Sequence, residues 1–429
     1  MKKVLIVSYY FPPAGGPGVQ RWLKFVKYLP DFDIQPIVYV PENPSYPIVD
    51  RELTAEISDK VVIIKRRIWE PYGLASFFSK SKTKKISSGI IPTAQKQSLF
   101  EKLSLWIRGN FFIPDARVFW VKPSVKYLRK YIVENGIDTL ITTGPPHSLH
   151  LIGLHLKSQL PLRWIADFRD PWITIGYHNQ LKLTAASKRK HEILELKVLQ
   201  SADEILVTSS STRLQFLTKT TKPITVITNG YDDEQVERQI VDNKFSLAHI
   251  GSLLSERNPV FFWQCLAELV REVPDFKDYL QLKLIGTVSD DVLQTINSYD
   301  LTAFVDLVGY VSHREALIQQ RKAQILLLIE INSKNTISII PGKLFEYMAA
   351  GRPILAIGPK GSDFAEIIKK TNTGEFFDYA QKEDLKKSIL NLFGLFKEGQ
   401  LRVNAVGVEQ FSRKKLTENL SQIIKGTHR

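Results

Sequence analysis

A lysine and a glutamate flanked by glycines form the most informative chemical pattern, within IIPGKLFEYMAAGRPILAIG at 339–358. Pro341 and Gly342 open a predicted helix, whose first-turn amides are free to bind a phosphate. Lys343 adds a positive charge, and Glu346 follows one turn later, where its carboxylate can accept hydrogen bonds from a sugar diol. The pattern favours a phosphate and sugar site, and its alternative is a helix on which Glu346 is merely solvated.

A second pattern, AHIGSLLSERNP at 248–259, joins a predicted strand to a predicted helix. Gly251 ends the strand, and Arg257 lies just before the helix. A guanidinium at this place can hold a phosphate through two parallel hydrogen bonds. On spacing alone, a solvated surface arginine is the commoner case.

Two aspartates and an arginine follow another predicted strand, in WIADFRDPWI at 164–173. Asp167 and Asp170 suit a polar substrate, either as a general base or by binding sugar hydroxyls. The alternative is a salt bridge that braces the loop. We expect Arg169 to brace the loop and one of the aspartates to be functional.

Two further strand ends carry candidate residues. His147 lies in TTGPPHSL at 142–149, where it is either catalytic or structural and where Ser148 could cap the next helix. Gly15, Gly16 and Gly18 follow the first strand and would let a ligand approach the backbone, or would simply form a turn. Their spacing lacks the third glycine of GxGxxG, so a nicotinamide site is poorly supported.

Short apolar runs alternate with helical patterns along the chain, which predicts parallel sheets covered on both faces. The pattern restarts near residue 246, so we expect two doubly wound, Rossmann-like α/β domains. They would span 1–235 and 243–407, joined by a polar linker, with a terminal helix at 408–429 packing on the body. Ligands of such sheets bind at the carboxyl ends of strands, which makes the cleft between the domains the expected site.

The 429 residues carry a formal charge of +14 and one cysteine, Cys265. A single cysteine excludes a disulfide framework and a multi-cysteine metal site. The apolar run after MKK at the start is too short for a signal peptide and lacks a cleavage site. No run approaches the length of a membrane helix, so we expect a cytoplasmic protein with peripheral membrane contact at most, on the inner face of the cell membrane.

Most of the positive charge is local. Residues 75–130 contain twelve basic and two acidic residues, a net +10, interleaved with aromatic residues in a predicted insertion at about 75–122. Its first part, 79–97, reads as a loop carrying Lys80, Lys82, Lys84 and Lys85. Its second part, 98–112, reads as an amphipathic helix with Leu99, Phe100, Leu103, Trp106 and Ile107 on one side. The segment could bind an anionic membrane, or the apolar side could pack on the domain while the lysines are solvated.

The ordered motifs resemble those of GT-B glycosyltransferases of family 4, also called group 1. They run over most of the chain: FPPAGGPG at 11–18, ADEILVTS at 202–209, ITNGYD at 227–232, HIGSLLSER at 249–257, LVGYVS at 307–312 and PGKLFEYMAAGRPIL at 341–355. The resemblance implies transfer of a sugar from a nucleoside-diphosphate sugar to a hydroxyl acceptor, with retention of anomeric configuration. It also implies no resident cofactor and no dedicated metal site. By resemblance the acceptor is lipid-linked or a polysaccharide precursor.

The resemblance also assigns roles. Glu346 would hold the donor ribose, the amides near Gly342 and Lys343 the diphosphate, and Arg257 a phosphate. His147 would lie near the anomeric carbon, and the Gly15 loop would face the phosphates across the cleft. Gly251, Gly309 and Leu344 would complete the donor side.

Two positions depart from the family pattern. The acid that often precedes Glu346 by eight residues is Ser338, and the basic residue that usually follows the Gly251 position is Ser252. Two alternatives stay open at this point. One is a nucleotide-sugar epimerase of the same shape, and the other is a nucleic-acid-binding protein that stacks bases on the basic–aromatic stretch.

Overall fold

The computed structural model describes residues 1–70, 99–174, 181–232, 237 and 239–427. The chain divides into two compact units, Met1–Thr228 with Arg413–Arg429, and Asn229–Ser412. The predicted basic loop, with Lys80, Lys82, Lys84 and Lys85, lies outside the described residues.

The first unit is built on a parallel sheet of seven strands, in the order β3-β2-β1-β4-β5-β6-β7. The strands are Lys2–Val7 (β1), Ile34–Pro41 (β2), Val62–Arg66 (β3), Thr139–Gly144 (β4), Arg163–Phe168 (β5), Glu204–Val207 (β6) and Ile224–Val226 (β7). The helices before the second unit are Pro17–Tyr28 (α1), Leu99–Phe111 (α2), Val121–Asn135 (α3), Ser148–Lys157 (α4), Ala185–Ser201 (α5) and Ser210–Leu217 (α6).

The second unit has a parallel sheet of six strands, in the order β10-β9-β8-β11-β12-β13. The strands are Phe245–Ile250 (β8), Leu280–Ile285 (β9), Val305–Gly309 (β10), Ile325–Ile329 (β11), Ile354–Gly358 (β12) and Gly374–Asp378 (β13). The helices are Val260–Glu272 (α7), Phe276–Tyr279 (α8), Asp290–Ser298 (α9), His313–Lys322 (α10), Lys343–Ala350 (α11), Asp363–Thr371 (α12) and Lys382–Lys397 (α13). The two sheets confirm the expected pair of doubly wound α/β folds.

Central strands are mostly apolar because both faces of each sheet are covered. In β1, Val4 and Ile6 belong to one core layer while Leu5 and Val7 belong to the other. Successive side chains of a strand point to opposite faces, so one short run supplies both layers. The leucine-rich β11 does the same in the second unit.

The C-terminal segment differs from the single helix predicted from residue 408. A 3₁₀ turn at Val408–Phe411 is followed by extended Ser412, and helix α14 begins only at Arg413, spanning Arg413–Lys425. Phe411 packs against Phe345 in the second unit, with ring centroids 5.3 Å apart. Leu420 of α14 instead joins the core layer of the first unit. Because the helix is interrupted at Ser412, the apolar residues before and after it pack into the cores of different units.

Helix α2 forms where the amphipathic pattern predicted it, but its packed side is different. Leu103, Trp106 and Ile107 are exposed, whereas Leu105 is buried. Gly109 lies so close to Leu181 that a Cβ would approach the Leu181 oxygen to 2.8 Å. Close backbone packing at Gly109 therefore decides which side faces the domain, and the alternative that the aromatic side packs inward was wrong for Trp106.

Candidate functional site

Glycines end three neighbouring strands of the second unit. Gly251, Gly286 and Gly309 have φ values of 118°, 118° and 76°, which residues other than glycine rarely adopt. The Gly251 amide donates to Ile285 O and the Gly286 amide donates to Gly309 O, each at 2.7 Å. These bonds fix the carboxyl edge of the sheet, where ligands of such folds bind.

Lys343, the first residue of α11, reaches this edge. A Cβ on Gly251 would lie 2.7 Å from the Lys343 ammonium, so only glycine leaves room for it. Lys343 Nζ lies 3.4 Å from His249 Nε2, and His249 Nδ1 lies 3.2 Å from Leu327 O. Burial, followed by the nearby charge of Arg257, lowers the pKa of Lys343 to about 8.

The His249 imidazole is buried, and this burial places its pKa well below the ordinary value. The ring is therefore neutral at physiological pH. Its Nδ1–H then donates to Leu327 O, and its Nε2 lone pair accepts from the Lys343 ammonium. This arrangement holds the lysine without neutralising its charge.

Arg257 is held by a buried acid, Glu330. Its Nη2 donates to Glu330 Oε1 at 3.0 Å and to Oε2 at 3.4 Å. Glu330 is itself fixed, because the Ile331 amide donates to Oε1 and the Tyr379 hydroxyl donates to its backbone oxygen. The arginine side chain is 31% exposed, while Glu330 is 2% exposed.

Glu346 lies on α11, three residues beyond Lys343. Its Oε2 accepts from Gln320 Nε2 at 3.1 Å, and the other side-chain atom of this buried amide, Oε1, has no partner among the described residues. Leu344 is fully buried and fixes the helix, while Gly342 precedes it without a side-chain cap. The first-turn amides of α11 thus have no capping side chain, which suits an anion.

In the first unit, the glycine loop packs closely on a neighbouring segment. The Gly15 amide donates to Ile48 O at 2.9 Å, and a Cβ at Gly15 would lie 2.9 Å from the Ile48 side chain. Gly16 has φ of 90° and precedes helix α1, in which the carbonyl oxygen of Gly18 accepts a hydrogen bond from Arg169. The glycines are therefore needed for packing as well as for any ligand.

Arg169 donates to three backbone carbonyls, those of Gly18, Gly144 and Pro145. It therefore braces the strand ends, as its sequence context favoured. Asp170 beside it has no hydrogen bond to any of the described residues and is half-buried, and burial raises its pKa against the opposing charge of Arg169.

Asp167 is buried, and both of its carboxylate oxygens accept hydrogen bonds. Its carboxylate accepts from Arg21, Trp22 and Thr143, with the Arg21 Nη2–Oδ1 distance at 2.8 Å. Burial opposes its ionisation, but Arg21 and these donors hold the pKa of Asp167 below its ordinary value. Its geometry is that of a structural ion pair, so the catalytic role of Asp167 stays a prediction without support from its contacts.

His147 is buried and stacks on Trp172, with ring centroids 4.9 Å apart and planes 4° apart. Ser148 does not cap the following helix. Instead Asp115 accepts from both the amide and the hydroxyl of Ser148, at 2.9 and 2.8 Å. A distant carboxylate thus supplies the cap, which no local spacing could predict.

The structure brings Gly251, Arg257, Lys343 and Glu346 to one edge of the second unit, with Gly309 at a neighbouring strand end. The first unit gathers the glycine loop, His147, Asp167 and Asp170 at its own strand ends. Sequence reasoning missed Glu330, His249 and Gln320. Glu330 directly follows the apolar run ILLLI, so an acid at the carboxyl end of a buried strand was the available signal.

Within the described residues, no helix is long and apolar enough to span a bilayer. The same part of the chain holds no group of three or more His, Cys, Asp or Glu residues placed to bind a metal ion.

Comparisons with solved structures agree with this architecture. Sucrose-phosphate synthase from Thermosynechococcus elongatus is 15% identical, with a TM-score of 0.62 and 99% of both chains covered. Anabaena Alr3699/HepE in complex with UDP-glucose is 12% identical, with a TM-score of 0.59 over 99% of this chain and 100% of that one. A putative UDP-N-acetylglucosamine 2-epimerase from Listeria monocytogenes is 12% identical, with a TM-score of 0.56 over 99% and 96%. The search of curated protein sequences gives no match.

The two parallel sheets and the likeness to these solved structures define the class of fold, which is the GT-B fold. The family follows from the second unit, because residues 244–394 match the family model described as Glycosyl transferases group 1. The match assigns this domain, and not the whole chain, to the group 1 glycosyltransferases.

Proposed function

We propose that the protein transfers a sugar from a nucleoside-diphosphate sugar to the hydroxyl of a lipid-linked or polysaccharide-precursor acceptor, with retention of anomeric configuration. The observation that supports this proposal is the arrangement of Arg257 and Lys343 beside the uncapped first turn of α11, with Glu346 further along the same helix. Two cations and free amides suit a diphosphate, and a carboxylate oriented by Gln320 suits a ribose diol.

The reaction requires that the departing diphosphate anion be stabilised. The bond between the anomeric carbon and the diphosphate oxygen breaks, the acceptor oxygen bonds to that carbon, and the hydroxyl proton passes to an oxygen of the departing diphosphate. Negative charge then grows on the departing diphosphate. Arg257, Lys343 and the helix amides are fixed before the reaction, so they stabilise this charge with little reorganisation.

Within the first unit, Asp170 is the stronger candidate of the two aspartates for acting on a substrate. Both carboxylate oxygens of Asp167 accept from donors of its own unit, whereas Asp170 has no hydrogen bond within the described part of the chain. His147 stays the predicted residue near the anomeric carbon, and the glycine loop stays a predicted phosphate neighbour.

The donor is tested by measuring nucleoside-diphosphate release from a panel of nucleotide sugars, with and without lipid-linked acceptors. We expect Arg257→Ala and Glu346→Ala to lose donor turnover. Arg314→Ala and Glu366→Ala, which change exposed residues of the same unit, serve as controls that keep it. Normal donor binding and turnover by the Arg257 and Glu346 variants would overturn the proposal.

The epimerase alternative has support from the Listeria monocytogenes neighbour described above as a putative epimerase. It is separated by incubating the protein with donor alone and analysing the sugar. An epimerase isomerises the nucleotide sugar without acceptor, whereas a transferase leaves the sugar configuration of unreacted donor unchanged. The same panel therefore decides between the two activities.

A further inference from the structure

A separate pocket lies at the carboxyl ends of β2 and β3 in the first unit. Pro41 pairs with Arg66 at the ends of these strands, and the Glu42 amide donates to Arg66 O at 2.9 Å. The pocket has a volume of about 260 Å³ and is lined by Tyr39, Glu42, Lys65, Arg66, Arg67, Trp120 and Pro123. Because β3 is an edge strand and β4 lies beyond β1, the pocket is distinct from the loops after β1 and β4.

The lining carries three cations and one carboxylate. Arg67 approaches Glu42 only at 3.7 Å, and both side chains are exposed. The guanidinium of Arg66 stacks over Tyr127, with its central carbon 4.5 Å from the ring centroid. Neither Lys65 nor Arg66 has an ion pair among the described residues, so the pocket has a surplus of positive charge that a ligand could neutralise.

The floor of the pocket is rigid. Tyr39 stacks on Trp120, with ring centroids 4.9 Å apart and planes 17° apart, and its hydroxyl donates to Ser124 Oγ. The chain beyond β3 is anchored by a buried ion pair, Arg117 to Glu70, at 3.0 Å. A preformed wall and floor reduce the entropic cost of holding a ligand.

An exposed aromatic surface adjoins this pocket. Trp69 follows Arg67 by two residues, and Phe119 precedes Trp120, which lines the pocket. Trp69 and Phe119 contact each other edge to face at 4.9 Å and are 55% and 47% exposed. Phe112 continues the row, with its ring 5.9 Å from that of Phe119. Apolar and cationic surfaces thus lie side by side.

We propose that this pocket binds the phosphate or diphosphate group of a lipid-linked acceptor, with the adjoining hydrocarbon lying on Trp69 and Phe119. Arg66 and Arg67 present planar N–H donors that match phosphoryl oxygens, and the aromatic rings bury apolar chain. An amphiphile with an anionic phosphoryl head matches both surfaces at once. The role of the ligand as acceptor rests on the proposed function, but the binding site does not.

The test is titration calorimetry of the full-length protein with farnesyl diphosphate, farnesol and inorganic diphosphate. We expect farnesyl diphosphate to bind at least tenfold more tightly than either fragment. The double variant R66Q/R67Q should lose at least tenfold in affinity, whereas K126Q/R129Q, with the same charge change at exposed sites on α3, should not. A thermal melt of each variant checks that it is folded, and R66K/R67K should recover part of the affinity.

Equal losses in the two double variants would overturn the proposal, because they would show a diffuse charge effect. Binding only to phosphatidylglycerol vesicles, with none to farnesyl diphosphate, would also overturn it by assigning the surface to the bilayer. Donor-dependent nucleotide release is measured on the same variants. If no nucleotide sugar is turned over while farnesyl diphosphate still binds through Arg66 and Arg67, the proposed function fails and the site stands.

Discussion

Two arginine–carboxylate pairs, one in each unit, use the same chemistry to different ends. Arg21 and Asp167 are 2% and 0% exposed, and Arg21 also donates to Ile227 O and Thr228 O. Arg257 instead contacts Glu330 through Nη2 and leaves 31% of its side chain exposed. Arg21 donates its hydrogen bonds to other groups of the protein, whereas Arg257 leaves N–H groups of its guanidinium available to a ligand. A structural pair and a binding pair therefore differ in the exposure of the arginine and in the N–H groups that it leaves without an acceptor, more than in residue type.

The largest effect is expected from Asp167→Asn. The substitution leaves the buried guanidinium of Arg21 without a counter-charge, and breaking such a pair costs about 3–5 kcal/mol. We expect urea denaturation to show that loss in the free energy of unfolding. Glu330→Gln, measured alongside, should lose clearly less because Arg257 can turn to solvent. Equal losses in the two variants would remove the distinction between the pairs.

Gly251→Ala should come next. The added methyl group would lie 2.7 Å from Lys343 Nζ, and φ of 118° strains any side chain, at a cost of about 1–3 kcal/mol. We expect displacement of Lys343 and roughly a tenfold loss in kcat/KM for the donor. Gly361→Ala is the matched control, since Gly361 has φ of 84° and open space around its Cβ position. A control variant that loses as much activity would attribute the effect to strain alone.

Glu330→Gln tests whether the second pair orients Arg257 for binding. The amide keeps the shape but offers one acceptor oxygen, so Arg257 should sample more orientations. We expect a several-fold rise in KM for the donor, because donor binding loses roughly one hydrogen bond to a charged group. The change in kcat should be smaller. Glu330→Asp, which keeps the charge, should recover part of the affinity. A pure stability loss with unchanged KM would make Glu330 structural, like Asp167.

Much of this comparison was accessible from sequence. The alternation of apolar runs predicted both parallel sheets, and strand-end motifs located Arg257, Lys343 and Glu346. The partners of these residues were not accessible. Glu330 lies 73 residues from Arg257, and Asp115 lies 33 residues from the Ser148 that it caps. Such pairings depend on which strand ends become neighbours, and that order is set by sheet topology and not by local spacing.

Helix α3 shows a second limit. Its lysines and arginine fell within the basic stretch, which obscured the buried stripe that includes Leu128 and Ile132. Composition identified the charge correctly but not the helix that carries part of it. The sequence also left two alternatives for the apolar side of α2, either exposed for membrane binding or packed on the domain. The hydrophobic pattern marked an apolar side, yet Gly109 allows the closer approach and so fixes the packed side.

The smallest predicted effect concerns pH. Lys343 has a pKa of about 8, lowered by burial and by Arg257, with Glu330 and Glu346 acting in the opposite direction. Its positive charge is present below that pKa and is lost as the pH rises through it. His249 stays neutral across this range because its pKa lies well below the ordinary value. Phosphate groups have completed their second ionisation, near pH 6, before the range begins.

Affinity for the nucleoside diphosphate released from the donor should therefore fall a few-fold between pH 7 and pH 9, measured by titration calorimetry. Lys343→Gln should bind weakly at every pH in this window and show a flat profile, since no charge remains to be lost. The matched control Lys334→Gln, at an exposed lysine of the same unit, should keep the slope. A slope that persists in Lys343→Gln would place the titrating group elsewhere. The exposed guanidinium of Arg257 would then have to account for phosphate binding without Lys343.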